Sequence, residues 1–421
     1  MTATLERLTH GPWNAQHLYF TGPSLSADGA CLVVLGDRDR PARGPYDPDA
    51  SLQVFAVELA SGDARPLTRN VDGVARAYVT FGGHPERGIA PGSVAFSPVA
   101  QRIVLVHGRS IERVGLDGRA DRLAELPPGV VTGYGALSSD GERYGVPIVD
   151  ATAFADLHAI DATVRRLGLV SRILVVDTTV GGIVDEVEVP GGWVTHVQFR
   201  PGEPSTILFN HEWAEDSGLR RMWLRDQRGV RPLRRPEHAW TDAPIHAADE
   251  VEHETFTRDG GAVVYHGVSR GPAGGGRAFV GRIMLADGLV TEVSLPPGPV
   301  RYGHLAARDL RTFVTDGIAD PGGDGAPAPD EHVRGREPWR PTRIDGADAP
   351  AEDDGGRWIT RLEVDWLTRR AVAVPIVAHG SSWSSQDDHP HPIVSPNGRS
   401  ILFTSDKTGV RAVYRVALDG S

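Results

Sequence analysis

The sequence has little of what disulfide-bonded, membrane-spanning or nucleic-acid-binding proteins need. Cys31 is the only cysteine among 421 residues, which excludes internal disulfides and paired thiolate ligands for a metal. No apolar run reaches the roughly 18 residues of a membrane-spanning helix, and the first seven residues lack the apolar segment of a secretory signal. A formal net charge of −11 disfavours nucleic acid as a partner. We therefore expect a cytoplasmic protein that contacts neither a membrane nor nucleic acid.

Motifs of several enzyme classes are missing as well. The chain contains no GxSxG elbow, no phosphate-binding loop and no HExxH pair, which argues against serine hydrolases, nucleotide enzymes and zinc proteases of that type. No pair of carboxylates stands at a spacing typical of a glycosidase.

Sustained helical periodicity is also scarce, and residues 154–169 are the best candidate for a local helix or long loop. The 50 glycines and 32 prolines instead predict many turns. Most apolar runs are short, rich in Val and Leu, and end at Asp-Gly or Pro-Gly, as strands do. The pattern favours an all-β fold.

One pattern recurs seven times: a small or polar residue, a turn of Pro, Asp or Gly, then an apolar strand. The turn segments are residues 24–29, 95–98, 137–141, 198–202, 256–260, 305–309 and 394–398. A second hairpin follows most copies, and the strand after the third copy, around Tyr144, is weak. Seven such units predict a single seven-bladed β-propeller domain over residues 1–421, in preference to a sandwich or unrelated hairpins.

Each unit averages about 60 residues, more than the roughly 40–45 of a compact blade, so the surplus belongs in loops. Residues 319–357 are rich in Pro, Gly, Asp and Ala and have no apolar period. They predict a long loop insertion, either passive or placed as a lid over a site.

Gln386, His389 and His391 form a compact group near the C-terminus. If the His-Pro-His run is extended, its period of two directs both imidazoles to one face, and Pro390 favours that backbone. Imidazole suits Zn, Fe, Ni and Cu, whereas an amide oxygen shifts the preference toward Mn, Mg or Ca. The motif predicts a divalent metal site, provided that the fold supplies a further ligand.

Other histidines recur at equivalent positions of successive repeats. His196 precedes the turn of the fourth repeat, His253 that of the fifth and His304 that of the sixth, as His389 and His391 do in the seventh. Equivalent positions of consecutive propeller blades lie at the same depth around the central channel. The recurrence therefore predicts that these histidines face one another across one end of the ring.

Charged residues of the fourth repeat join this set. His211 and Glu212 end its main strand, and Arg220 and Arg221 begin the next. The planar guanidinium of arginine suits a carboxylate. We expect one arginine of the pair to be a solvated strand end.

The order of these motifs resembles the oligogalacturonate lyase family, cytoplasmic seven-bladed propellers that degrade short pectin fragments. The matching segments run through most of the chain: Leu18-Tyr19-Phe20-Thr21, His196 with Phe199-Arg200-Pro201, His211-Glu212, Arg221-Met222-Trp223-Leu224, His253-Glu254, His304-Leu305, Ser382-Trp383, Gln386, His389-Pro390-His391-Pro392 and Phe403-Thr404-Ser405-Asp406. The C-terminal block is the most specific, because the turn motifs alone fit any TolB-like propeller. The chain departs from the family at Thr255-Phe256, where an aromatic pair is usual, at 123–170 and at the longer 319–357 insertion.

The resemblance implies a metal-dependent lyase whose partner is a uronic-acid oligosaccharide. It implies a Mn²⁺ site formed by His304, Gln386, His389 and His391. It also implies His253 as the Brønsted base and Arg221 as a partner of the substrate, and leaves His196 and His211 as candidates for substrate binding.

The implied chemistry is β-elimination from a 4-linked uronide, which removes the C5 proton and expels O4. A divalent ion neutralises the carboxylate next to the reacting carbon. Arg221 adds a bidentate contact to a carboxylate, and a neutral His253 accepts the proton. No residue is assigned as the acid that protonates the leaving oxygen.

Two alternatives remain open. The same chemistry can act on another uronide, such as a glucuronate-containing oligosaccharide. The turn motifs alone also fit a non-catalytic TolB-like binding scaffold, which gives four metal ligands no reason to converge. The sequence carries no signal for an oligomeric state.

Overall fold

Apolar strands and tight turns alternate along the chain and assemble into separate sheets. The computed structural model describes residues 5–37, 47–78, 80–157, 159–212, 221–234, 249–270, 276–295, 300–319, 358–382 and 386–418. Within these ranges the strands form seven antiparallel sheets, and the predicted seven-bladed β-propeller is confirmed. Arg220, and the predicted 319–357 insertion apart from Ala319, lie outside the described residues.

The strands follow the chain blade by blade, after a first strand β1 (Glu6–Arg7). Blade 1 contains β2 (Asn14–His17), β3 (Cys31–Asp37), β4 (Gln53–Glu58) and β5 (Ala64–Pro66). Blade 2 contains β6 (Ala95–Ser97), β7 (Arg102–His107), β8 (Ser110–Gly115) and β9 (Ala120–Glu125). Blade 3 contains β10 (Val130–Thr132), β11 (Ala136–Leu137), β12 (Arg143–Asp150), β13 (Val170–Asp177) and β14 (Ile183–Pro190).

The remaining blades have the same order. Blade 4 contains β15 (Val197–Arg200), β16 (Glu203–Asn210), β17 (Met222–Asp226) and β18 (Gly229–Pro232). Blade 5 contains β19 (Asp249–Phe256), β20 (Ala262–Arg270), β21 (Gly276–Met284) and β22 (Val290–Ser294). Blade 6 contains β23 (Val300–Ala307), β24 (Thr312–Ala319), β25 (Trp358–Asp365) and β26 (Arg370–Ala378). Blade 7 contains β27 (Ile393–Val394), β28 (Ser400–Ser405) and β29 (Ala412–Ala417).

Each predicted turn segment lies before the second strand of its blade or, in blade 3, before β12, the third. Blade 3 illustrates the chemistry of the turn. Ser138 Oγ donates to Asp140 Oδ1 at 2.5 Å, and the same oxygen accepts the N–H of Glu142 at 2.9 Å. Gly141 completes the turn with a φ of 76°, which glycine adopts without a steric penalty. The following strand, predicted to be weak, is instead the eight-residue β12, in which Tyr144 is fully buried.

The first strand closes the ring from the other end of the chain. β1 pairs with β29 and becomes the fourth strand of blade 7, with Glu6 opposite Arg415. The N–H of Leu8 donates to the carbonyl oxygen of Val413 at 2.8 Å, just beyond the strand pair. Blade 7 is therefore built from both ends of the described chain.

Apolar cores lie between neighbouring blades within the described residues. Between blades 7 and 1, Leu32 and Val34 pack with Leu402 and Val413, and all four are buried. Corresponding clusters join the other six pairs of neighbours. Full burial of one such side chain contributes about 1.5–3 kcal/mol relative to exposure. Hydrogen bonds hold each blade together, and these side chains hold the blades in a ring.

The local helix predicted within 154–169 is present as α1 (Ile160–Leu167). Ile160 and Val164 share a buried apolar cluster with Trp193, beside blade 3. Among the described residues no helix is both long and apolar enough to cross a membrane.

Candidate metal centre and active site

Three histidines from two neighbouring blades meet in one cluster. His304 lies on β23, the first strand of blade 6, and His389 and His391 precede β27, the first strand of blade 7. One ring nitrogen from each lies within 4.8 Å of the others. The ring centroid of His304 is 4.0 Å from that of His391 and 5.4 Å from that of His389.

The fourth predicted ligand lies beside the same cluster. Gln386 Nε2 is 3.2 Å from His391 Nε2. Rotation of the amide about its terminal bond exchanges its nitrogen and oxygen, so the carbonyl oxygen can face the same point. The structure thus brings together the four residues that the resemblance implies as metal ligands.

The backbone that carries His391 differs from the extended run that the sequence predicted. His391 has a φ of 47°, and β27 begins only at Ile393. This left-handed conformation is uncommon for residues other than glycine and costs roughly 1–3 kcal/mol. The N–H of His391 donates to Asp316 Oδ2 at 2.9 Å, which helps to hold it. The two imidazoles therefore converge through a sharp local bend rather than through strand alternation.

Asp316 also fixes the orientation of His304. Its carboxylate lies 3.0 Å from His304 Nδ1 and accepts the N–H of His304 at 2.6 Å. Burial is the largest single effect and raises the pKa of Asp316, but His304, His389 and His379 together lower that pKa more, so the net shift is downward. An ionised Asp316 holds the proton of His304 on Nδ1, which leaves Nε2 as the nitrogen that can bind a metal.

The residues present fit a divalent metal. Burial, reinforced by His304, lowers the pKa of His389 and of His391 well below the ordinary value. Both rings are therefore neutral at neutral pH, the state in which imidazole binds a metal. Three imidazole nitrogens with an amide oxygen form a donor set that suits a borderline-hard divalent ion.

A buried ion pair supports the segment that carries these ligands. Asp388 precedes His389, and its Oδ1 accepts a hydrogen bond from Arg411 Nε at 2.6 Å. Their side chains are 0% and 1% exposed. The N–H of Arg411 donates to Asn14 Oδ1, which connects blade 7 to blade 1.

Replacement of one member of this pair is expected to destabilise the protein strongly. In Asp388→Asn, a buried guanidinium loses its counter-charge, which costs about 3–5 kcal/mol. Urea denaturation of the variant measures the loss. Glu6→Gln is the matched control, because its pair with Arg415 is solvent-exposed and should change stability by less than about 1 kcal/mol. Equal losses in the two variants would contradict a supporting role for the buried pair.

His253, the predicted base, lies next to the cluster of three histidines. Its ring centroid is 4.2 Å from that of His304. Its Nδ1 is 2.8 Å from Nε2 of His266 on the neighbouring strand β20. Burial, with His304 adding to it, holds the pKa of His253 well below its ordinary value, so that the ring is neutral at neutral pH. A neutral imidazole can accept a proton.

Two aromatic residues that follow β2 cover the histidines. The ring centroid of Phe20 is 5.7 Å from that of His253 and 5.3 Å from that of His304. Tyr19 Oη lies 3.0 Å from His196 Nε2, and the Tyr19 ring stacks on Tyr134 at 3.8 Å. Blades 1 and 3 thus contribute to the same site as blades 4 to 7.

Arg221 is held between two buried carboxylates. Its Nε donates to Glu254 at 2.9 Å and its Nη1 to Glu212 at 3.3 Å. Burial alone would lower the pKa of Arg221, but Glu254 and then Glu212 raise it well above its ordinary value. These two contacts use two of its five N–H groups. Any contact of Arg221 with a substrate carboxylate must use the others.

The two histidines predicted to bind substrate are placed differently. His196 lies with the aromatic group: its ring stacks on Tyr134 at 4.8 Å and its Nδ1 is 3.4 Å from Glu212. The ring of His211 instead packs against Phe209 and Trp223, and burial lowers its pKa to about 4. The structure brings His196 to the candidate site, and the role of His211 stays a prediction.

Several residues of the site were not identified from the sequence. His17, on the first strand of blade 1, has its Nε2 3.1 Å from the carbonyl oxygen of Pro390. The recurrence of histidine on first strands, applied to blade 1, would have found it. Asp316 and His266 lie on second strands and carry no signal by themselves.

Two curated bacterial proteins are similar to most of the chain. The oligogalacturonate lyase of Dickeya dadantii is 26% identical over 415 residues, which cover 94% of this chain and 88% of that protein. The oligogalacturonide lyase of Pectobacterium atrosepticum is 25% identical over 384 residues, which cover 87% of this chain and 83% of that protein. No protein family profile matches the chain.

Solved structures with the same fold include two lyases. An oligogalacturonate lyase in complex with manganese superposes with a TM-score of 0.69 at 21% identity, over 99% of this chain and 93% of that chain. The oligogalacturonate lyase of Vibrio parahaemolyticus gives a TM-score of 0.69 at 20% identity, over 99% and 97%. The structural matches support the propeller fold. The sequence matches confirm the predicted resemblance to the oligogalacturonate lyase family and the prediction of an enzyme.

Proposed function

We propose that this chain, which is similar in sequence and fold to oligogalacturonate lyases, cleaves short 4-linked uronides by β-elimination with Mn²⁺ as its metal. The observation that carries the proposal is the position of His253, whose ring lies 4.2 Å from that of His304 in the cluster of three histidines. A base beside a divalent ion is the arrangement that removal of a proton next to a carboxylate requires.

The metal would be held by His304, Gln386, His389 and His391, which match the four ligands implied by the resemblance. When bound, it supplies positive charge that stabilises the carboxylate and the negative charge developing on it. The similarity to a lyase in complex with manganese supports this ion, as does the mixed imidazole and amide donor set.

His253 accepts the C5 proton in this proposal. Its Nδ1 faces His266 at 2.8 Å, so Nε2 is the nitrogen available to the substrate. Donation of the Nδ1 proton to His266 selects the tautomer that has a lone pair on Nε2. The neutral state favoured by burial then allows His253 to accept the proton.

Arg221 orients a substrate carboxylate, either on the reacting sugar or on its neighbour. Glu254 and Glu212 hold the guanidinium in place, so little side-chain entropy is lost when the substrate binds. His196 and Tyr19 form a hydrogen-bonded pair beside it, suited to sugar hydroxyls. His196 is the better placed of the two predicted histidines to contact the substrate, and His211 remains a second candidate.

Product analysis on a panel of uronate disaccharides with Mn²⁺ tests the proposal. A digalacturonate should give a product with the ultraviolet absorbance and the mass of an unsaturated uronate. Activity only on glucuronate-containing disaccharides would keep the chemistry and change the substrate. A saturated product would indicate hydrolysis and contradict the proposal, and no product on any uronide would favour a binding scaffold.

A further inference from the structure

A second group of metal-ligating side chains lies beside the first. Glu252, His253 and His266 each offer one ligand atom, and the three atoms lie within 4.8 Å of one another. His253 Nδ1 is 2.8 Å from His266 Nε2 and 3.5 Å from Glu252 Oε2. The two imidazole planes are nearly parallel, 18° apart. Two nitrogens and one carboxylate oxygen thus converge on one point.

The backbone of β19 is shaped to produce this convergence. Consecutive side chains of a regular strand point to opposite faces, which would separate Glu252 from His253. The register of β19 against β20 shifts between Glu252 and Thr255, and His253 has a φ of 47°. A left-handed backbone is strained at a residue other than glycine. The fold keeps this strained bulge, which places both side chains beside His266.

The protonation of the two imidazoles suits a cation. Two neutral rings carry one proton each, so the 2.8 Å contact joins one donor nitrogen to one acceptor nitrogen. Neutral imidazole is the form that binds a metal. A divalent ion between the rings takes the position of the shared proton, which moves to Nε2 of His253, and the carboxylate of Glu252 supplies a negative charge.

We propose that Glu252, His253 and His266 form a second cation site, which takes an imidazole-preferring divalent ion such as Zn²⁺ and thereby inhibits the enzyme. The neutral His253 ring carries its single proton on Nδ1 when Nε2 acts as base. An ion bound to Nδ1 forces that proton onto Nε2. No lone pair then remains to accept a proton from the substrate. The inhibitory part rests on the proposed function, whereas the binding part does not.

Cation binding at the second site is weaker than at the first. It has three donors where the first has four, and the ring of His304 is only 4.2 Å from that of His253. An ion already held at His304 repels a second one, and Arg221 adds a further positive charge nearby. We therefore expect the second site to fill only when the metal is in excess.

Titration of the metal-free protein with Co²⁺ tests the binding part directly. Visible absorbance reports each ion that acquires nitrogen ligands, without any substrate. The wild type should bind two equivalents of Co²⁺. Over the same concentration range Glu252→Gln should bind only one, because its affinity at the second site falls by more than about tenfold. Glu188→Gln, the same change at an exposed position of β14, should still bind two. One equivalent in the wild type, or two of unchanged affinity in Glu252→Gln, would overturn the proposal.

Rising Zn²⁺ added to the Mn²⁺-loaded enzyme tests the inhibitory part. Exchange of Mn²⁺ for Zn²⁺ at the first site affects all variants alike. Binding of Zn²⁺ at the second site should cause further inhibition in the wild type and in Glu188→Gln, but not in Glu252→Gln. Each rate is taken relative to the rate of the same protein without Zn²⁺. Identical inhibition curves would refute this part. If no uronide is cleaved at all, the proposed function fails, while the Co²⁺ titration still decides whether the site exists.

Discussion

His253→Ala is expected to abolish formation of the unsaturated uronate while the protein still binds Mn²⁺. Removal of a general base lowers the rate by about 10²–10⁴-fold, because the substrate proton then has only water as its acceptor. None of the proposed metal ligands lies on β19, which carries His253, so they should keep their positions. The measurement is the ultraviolet absorbance of the product, together with metal content determined on the same sample.

A second variant separates chemistry from folding. His253 has a φ of 47°, where alanine is strained and asparagine is tolerated. His253→Asn should therefore fold as the wild type does and be as inactive as His253→Ala. Loss of Mn²⁺ from both variants would make His253 a ligand instead of a base. Near-normal turnover in His253→Asn would exclude it from the proton transfer.

Removal of the metal is expected to eliminate activity, and Mn²⁺ should restore it. The charge of the ion balances negative charge that develops next to the substrate carboxylate, which no described residue of the cluster can replace. His389→Ala should not recover, because it removes one donor from the convergent set. Chelation followed by titration with Mn²⁺, with both calorimetry and product formation as readouts, provides the measurement.

A variant of Asp316 tests the same metal site by weakening metal binding without removing a proposed ligand. Asp316→Asn keeps the shape of the side chain but weakens its hold on His304, which should lower metal affinity by about 10–100-fold. Saturating Mn²⁺ should then restore turnover. His107→Ala, in blade 2, is the control and should leave metal affinity unchanged. Full activity of metal-free protein would refute the metal assignment.

The sequence predicts the fold well because each blade repeats one local signal. A hydroxyl, an Asp or Asn and a Gly specify the turn by short-range hydrogen bonds, so the blades can be counted from the sequence. The strand at Tyr144 was underestimated because its glycine and proline interrupt the apolar run, yet its burial comes from contacts with the neighbouring blade. The pairing of β1 could not be predicted, since two residues carry no periodicity.

The sequence predicts which histidines converge at the candidate site but not the side chains that hold them. Histidines recur on the first strands of successive blades or just before them. The ring of blades brings such equivalent positions close together in space. Their partners lie across the strand pair: His196 faces Asn210, and His304 faces Asp316. These partners depend on strand register, which a β-bulge changes without a distinctive sequence signal.

Pairing of β1 with β29 joins Glu6 to Arg415 across 409 positions of the chain. Contacts so distant in sequence form late, because closing a long loop costs entropy before the contact repays it. During synthesis, blade 7 cannot acquire its fourth strand until β29 has left the ribosome. In the chain, β29 comes after the proposed ligands Gln386, His389 and His391. We therefore expect metal capture and ring closure to be coupled, so that a nascent chain does not hold the ion firmly before β1 and β29 have paired.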